Sequence, residues 1–203
     1  MSTEKDKMLR GELYDANYNP QLIDERNACK ALCARYNNSA YEDVEARRAL
    51  LCRIIGSRKG SFTIEPSFWC DYGYNISLGE NFYANHNLVI LDAAPVTFGD
   101  NVFIGPSCGF NTAGHPLDVE QRNKGLEYAR SIKVGNNVWI GAGVQVLPGV
   151  TIGDNVTIGA GSVVTRDIPP CSVAVGNPCR VLRAINEHDR EFYFKDRKID
   201  FGD

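Results

Sequence analysis

A six-residue beat runs through the C-terminal half of the chain. Val134, Ile140, Val146, Ile152, Ile158 and Val164 are each six apart, and four residues after each stands Val138, Val144, Val150, Val156, Ser162 or Ile168. Corner residues fall between them: Gly135-Asn136-Asn137, Gly141-Ala142-Gly143, Gly153-Asp154-Asn155 and Gly159-Ala160-Gly161. Self-similarity at a fixed short period specifies a solenoid. Short flat strands alternate with tight corners, where Gly, Asn and Asp tolerate the positive φ that other residues resist. Three hexapeptides make one triangular coil, and coils stack at the parallel-strand spacing of about 4.8 Å. An ordinary sandwich would repeat its strands every 8–12 residues or so.

The beat also appears earlier, in Leu78, Ala84 and Ile90 and in Phe98, Ile104 and Phe110. The eight-residue step from Ile90 to Phe98 predicts a two-residue insertion near Ala94-Pro95. The solenoid is expected over residues 61–179, with residues 113–131 thrown out as a loop too long and too polar for a corner. A long loop in a compact domain is usually functional or disordered.

Residues 1–60 read as a helical cap over one end of the prism, which would otherwise expose strand edges and apolar core. Asn19-Pro20 starts a helix with Leu22, Cys29, Cys33 and Tyr36 near one face, ending at Asn37-Asn38. Ser39 and Glu42 form a capping box for a second helix lined by Val44, Leu51, Ile54 and Ile55 and stopping at Gly56. Beyond Gly176-Asn177-Pro178, residues 180–203 read as a basic, then aromatic tail, a helix or an arm.

The net charge of −3 gives no reason to expect nucleic acid or an anionic membrane as partner. No apolar run approaches the ~20 residues of a membrane span, and Met1–Lys7 lacks an apolar signal core, so a cytoplasmic protein is expected. The seven cysteines are scattered, odd in number and without a Cys-x-x-Cys pair. Reduced, mostly buried thiols are the expectation.

Of the three histidines, His115 stands out. It sits at the root of the extruded loop in Asn111-Thr112-Ala113-Gly114-His115-Pro116. Gly114 permits an unusual turn, and Pro116 drives His115 away from helical backbone. An imidazole held at a stiff point, in the kind of loop where function concentrates, suits proton transfer near neutral pH. His86 falls at an outward repeat position and His188 in the charged tail. Neither has the spacing of a three-histidine zinc cluster, and no metal site is assigned.

Several further motifs accompany the beat: Gly11-Glu12-Leu13-Tyr14, Cys70-Asp71-Tyr72-Gly73-Tyr74-Asn75-Ile76, Asn81-Phe82-Tyr83-Ala84-Asn85, Gly114-His115-Pro116, Gly135-Asn136-Asn137-Val138-Trp139-Ile140-Gly141 and Gly176-Asn177-Pro178-Cys179-Arg180. With these, the chain resembles the hexapeptide-repeat acyltransferases over nearly its whole length, and more narrowly the maltose and galactoside O-acetyltransferases.

The fold this resemblance implies is mainly β: a left-handed parallel β-helix of hexapeptide repeats with an N-terminal α-helical hairpin and an extruded loop. Its handedness runs against the usual right-handed crossover and comes from the resemblance alone. The resemblance implies direct acetyl transfer from acetyl-CoA to a sugar hydroxyl in a homotrimer, with His115 as general base and active sites between subunits. It places Asp71, Asn85, Asp92 and one of Asp15 or Asn17 on the sugar. Relatives of the galactoside type carry a second acidic residue where this chain has Ala93.

On the coenzyme side it points to Ala142, whose backbone N–H would serve the oxyanion, to Ala160 and to Trp139. Thr165, Arg166, Arg180 and Arg183 would meet the nucleotide phosphates. A xenobiotic acetyltransferase of the chloramphenicol type, or an oligosaccharide O-acetyltransferase, would share the same scaffold and histidine.

Overall fold

The computed structural model of the chain describes residues 2–194 and 196–200. The solenoid is a three-sided prism. One face stacks Ser57–Arg58, Ile76–Leu78, Val96–Phe98, Ile132–Val134 and Thr151–Ile152, all parallel. The second runs from Phe62–Ile64 through Phe82–Ala84, Val102–Ile104, Val138–Ile140 and Val156–Ile158 to Ser172–Val175. The third stacks Phe68–Cys70, Leu88–Leu91, Gly109–Asn111, Gln145–Val146 and Val163–Val164. Each coil contributes one strand to each face, and the winding is left-handed.

The two apolar registers read from the sequence are the prism's interior. Val134, Ile140, Val146, Ile152, Ile158 and Val164 are buried, and so are Val138, Val144, Val150, Val156, Ser162 and Ile168. In the lower coils Phe82, Phe98 and Phe110 fill the axis edge to face, with ring centroids 5.0 and 4.9 Å apart. Upper coils repeat after 18 residues, as Val134 pairs with Ile152. Lower coils repeat after 20, as Cys70 pairs with Ile90 and Ile90 with Phe110.

The extra residues all fall at one corner, as the Ile90-to-Phe98 step predicts. There the connections 71–75, 92–95 and 112–131 bulge outward in three successive coils. A different corner is regular. Asn81, Asn101 and Asn137 hold φ between 54 and 56°, and each lower amide donates to the next, at 3.0 and 3.1 Å. Coils approach so closely there that a Cβ on Gly79 would lie 2.2 Å from the Gly99 carbonyl oxygen.

The cap departs from the expected hairpin in several ways. A short helix, α1 (Glu4–Arg10), precedes it, started by a reciprocal Thr3–Asp6 capping box, and is followed by strand Tyr14–Asp15. Helix α2 (Pro20–Asn37) begins on Asn19 as expected and buries Leu22, Cys29, Cys33 and Tyr36. Helix α3 (Val44–Ile54) is capped by Asp43, not Ser39; the Ser39 hydroxyl instead donates to the Tyr36 carbonyl at the end of α2, 2.6 Å away. Val44 is exposed, and the coil has already begun at Ser57.

The extruded segment is ordered. It contains α4 (Val119–Asn123) and strand Leu126–Ala129, which pairs with both Tyr14–Asp15 and Ala113–Gly114. The tail begins as strand Arg180–Ala184, antiparallel to Ser172–Val175, and continues into the short α5 (Glu187–Glu191). Among the described residues no helix is long and apolar enough to cross a membrane.

Candidate active site

The bulged corner builds a polar pocket. A small second core of Met8, Tyr14, Ala16, Leu22, Tyr72, Ala93, Ala94 and Ala129 cements the N-terminal segment, the 71–75 and 92–95 connections and the extruded hairpin together. On it opens a cavity of about 290 Å³ lined by Tyr14, Asn17, Arg26, Lys30, Asp71, Tyr72, Ala93 and Glu127. Such side chains offer directional donors and acceptors from several elements, which a polyol requires.

His115 stands at the edge of this pocket. Its Nδ1 lies 2.9 Å from the Leu126 carbonyl oxygen. A carbonyl only accepts, so the neutral ring carries its proton on Nδ1 and keeps a lone pair on Nε2. That Nε2 is 3.6 Å from Glu127 Oε1, too far for a hydrogen bond yet close enough to attract an imidazolium. The other Glu127 oxygen accepts from the Tyr14 hydroxyl at 2.7 Å. Burial, then the Glu127 charge, push the Tyr14 hydroxyl far above its usual range, so it stays a donor. Tyr14 and Glu127 escaped sequence reasoning. Only their pairing across strands 14–15 and 126–129 brings them together.

Asp71 lines the pocket, with Lys30 Nζ 3.4 Å from its Oδ1. Asn17 lines it too. Asp15 does not: its Oδ1 accepts from the backbone of Asn17 and Tyr18 at 3.2 and 2.9 Å, a local turn. Of the two alternatives, Asn17 therefore faces the cavity. Asp92 also departs from its expected role on the sugar. It is fully buried, and its Oδ1 accepts from the backbone N–H groups of Asp71 and Tyr72 at 3.0 and 2.8 Å. It sets the pocket wall from beneath.

Asp92 Oδ2 has no hydrogen-bond partner among the described residues, and burial lifts the carboxyl from 3.8 to about 6. A raised acid destabilises the fold once ionised, so the contribution is favourable at low pH and is lost as pH rises through about 6. Asp92→Asn keeps the Oδ1 acceptor and removes the charge. Relative to the unmodified chain, the variant is expected to gain stability progressively between about pH 4 and pH 7, by roughly 3 kcal/mol in total. Urea midpoints across that range check this; a pH-independent difference would contradict it.

The remaining expected residues lie elsewhere on the prism. Asn85, Ala142 and Ala160 belong to the corner that follows the second face. There the Asn85 N–H donates to Ile104 O at 2.9 Å and that of Gly105 to Ile140 O at 2.7 Å. Trp139 is 59% exposed on that face, between Phe103 and Thr157 on neighbouring rungs. Thr165 and Arg166 are exposed beyond Val163–Val164, and Arg180 is exposed on the last strand. Arg183 differs from expectation: its guanidinium holds both oxygens of Asp189, each at 2.6 Å, and is committed within the chain.

A parallel solenoid of six-residue rungs, with a loop histidine beside a polyol-sized polar pocket, defines the class of hexapeptide-repeat transferases. The model of the bacterial transferase hexapeptide (six repeats) matches residues 131–166, and that of the maltose acetyltransferase hexapeptide capping motif matches residues 7–59. The galactoside O-acetyltransferase of Escherichia coli is 48% identical over 179 residues, 88% of each chain.

A crystal structure of a maltose O-acetyltransferase from Clostridium difficile superposes with a TM-score of 0.88 at 51% identity, covering 91% of this chain and 98% of that one. A galactoside acetyltransferase in complex with coenzyme A gives 0.93 at 44% identity, covering 97% and 98%. The chain belongs to the maltose and galactoside O-acetyltransferase family.

Proposed function

We propose that the chain transfers the acetyl group of acetyl-CoA to a hydroxyl of a sugar, with His115 as general base. The acceptor is maltose, glucose or a galactoside. The observation that carries this reading is the bond between His115 Nδ1 and the Leu126 carbonyl, which leaves Nε2 as the only ring nitrogen able to take a proton. The sugar O–H gives its proton to Nε2 as its oxygen attacks the thioester carbonyl carbon. The C–S bond then breaks, and the coenzyme thiolate recovers the proton from the imidazolium. Transfer is direct, so no cysteine nucleophile is required. Asp71 and Asn17 hold acceptor hydroxyls, while Tyr14 and Glu127 steady the histidine.

The coenzyme comes to this site from the neighbouring protomer of a homotrimer. In support, Phe103 and Trp139 are 42 and 59% exposed side by side on one flat face, an apolar surface suited to association. On that face's corner, Ala142 and Ala160 permit close approach of a pantetheine arm. Among the described residues the Ala142 N–H takes no part in the corner hydrogen bonding, leaving it for the developing oxyanion. Asn85 and Trp139 then complete the partner's site, and Thr165, Arg166 and Arg180 meet the nucleotide phosphates. The reducing cytoplasm suits a chain whose seven cysteines are all free.

The test is release of coenzyme thiol from acetyl-CoA with glucose, maltose, galactosides and chloramphenicol as acceptors. Turnover with at least one of the sugars well above that with chloramphenicol is expected. Strong preference for chloramphenicol would replace the sugar by a xenobiotic on the same machinery.

A further inference from the structure

Three thiols that acetyl transfer does not use meet where α2 crosses the lowest rung of the third face. Cys29 and Cys33 lie one helical turn apart on α2 and are 5 and 0% exposed. Cys70, 2% exposed, points at them from strand Phe68–Cys70. Cys70 Sγ is 3.5 Å from Cys29 Sγ and 3.8 Å from Cys33 Sγ, and all three sulfurs lie within 4.8 Å of one another. Three sulfurs bound at ~2.3 Å to one pyramidal centre, whose lone pair closes the angles to about 90–100°, lie roughly 3.3–3.5 Å apart. Cys29 and Cys70 already stand at about that spacing, and closing of Cys33 on them would bring the three onto a common atom. Among the described residues no fourth Cys, His, Asp or Glu donor joins the group.

We infer that Cys29, Cys33 and Cys70 form a trithiol site for a soft, three-coordinate centre, and that the species it fits is trivalent arsenic entering as arsenite. Charge decides among the thiophilic candidates. Three thiolates leave a net −2 around a cuprous ion and −1 around zinc, but zero around a trivalent centre. Burying a net charge is costly, and structural zinc also needs a fourth ligand.

The condensation balances without an oxidant or reductant. Neutral As(OH)₃ and three S–H groups give As(SR)₃ and three waters. Three As–O and three S–H bonds break, three As–S and three O–H bonds form, no electron changes hands, and the loaded site is neutral. A surface cavity of about 360 Å³, walled by Cys29, Leu32, Tyr72 and Tyr74, reaches the edge of the cluster at Cys29.

The test uses the full-length chain kept reduced by a phosphine, so that no dithiol competes for arsenite. Intact mass is expected to rise by one arsenic less three hydrogens per chain, with the loss of three titratable thiols. Peptide mapping after alkylation in denaturant is expected to find Cys29, Cys33 and Cys70 protected only in the arsenite-treated chain, with Cys108, Cys171 and Cys179 modified with or without arsenite. That mapping uses the unmodified chain, so it decides the matter even if substitutions unfold it. Cys33→Ser is expected to lose the three-thiol adduct and Cys171→Ser to keep it. No adduct, protection of other cysteines, or an unchanged adduct in a folded Cys33→Ser chain would overturn the assignment. Displacement of arsenite by equimolar zinc or cuprous ion would overturn the charge argument for the occupant.

Discussion

Replacing His115 by Ala is expected to lower turnover by ~10²–10⁴-fold, the usual contribution of a positioned base, and to leave the fold unchanged. The side chain is 44% exposed, and among the described residues its polar contacts are one hydrogen bond to Leu126 O and the approach to Glu127. Little packing is therefore lost, and surface truncations of this kind usually move stability by less than about 0.5 kcal/mol. The loss should appear in kcat more than in the KM for acetyl-CoA, because the ring meets the coenzyme only at the reacting thioester. Glu127→Gln should cost less, since it keeps an acceptor for Tyr14 and removes only the charge beside Nε2. Steady-state thiol release separates the two variants. Turnover unchanged in His115→Ala would remove the histidine from the mechanism.

The prism was legible because its physics is local and periodic. Every apolar residue on the six-residue beat must face one axis, and each corner announces itself through residues that tolerate positive φ. Even the two-residue insertion at residues 92–95 was visible as a skipped beat. Its consequence was not. Asp92 reads as one more pocket carboxylate until the backbone N–H groups of Asp71 and Tyr72 are seen to turn it inward.

Glu127 lies in a stretch without periodicity, and its meeting with Tyr14 spans 113 residues. The same holds for the thiol cluster. Cys29 and Cys33 share a helix face by spacing, but nothing in the chain's pattern indicates that Cys70 arrives between them. The second helix starts later than its sequence suggests for a related reason: Ser39 and Glu42 have capping-box spacing, yet Asp43 sits closer to where the helix begins and accepts from the Ala46 N–H at 3.1 Å.

Phe110→Ala is expected to cost about 3–5 kcal/mol, the range for emptying a buried aromatic site. Phe110 is fully buried, packed edge to face on Phe98 and stacked between Ile90 below and Val146 above. The aromatic pair accounts for roughly 0.5–1.5 kcal/mol of that, beyond its area. Collapse cannot recover much of the rest. The rungs around the void are held at fixed spacing by parallel ladders on three faces and by the Asn81–Asn101–Asn137 corner bonds, so the walls have little freedom to close in. A solenoid also shares load only between neighbouring coils, and Phe110 belongs to the coil that bears the extruded hairpin and His115. The expected fall in melting temperature is on the order of 10 °C, measured at fixed chain concentration because assembly adds its own stability. A cost below about 1 kcal/mol would mean that the interior repacks around the void, and that the ladders and corners do not hold the coil spacing as rigidly as their hydrogen bonds imply.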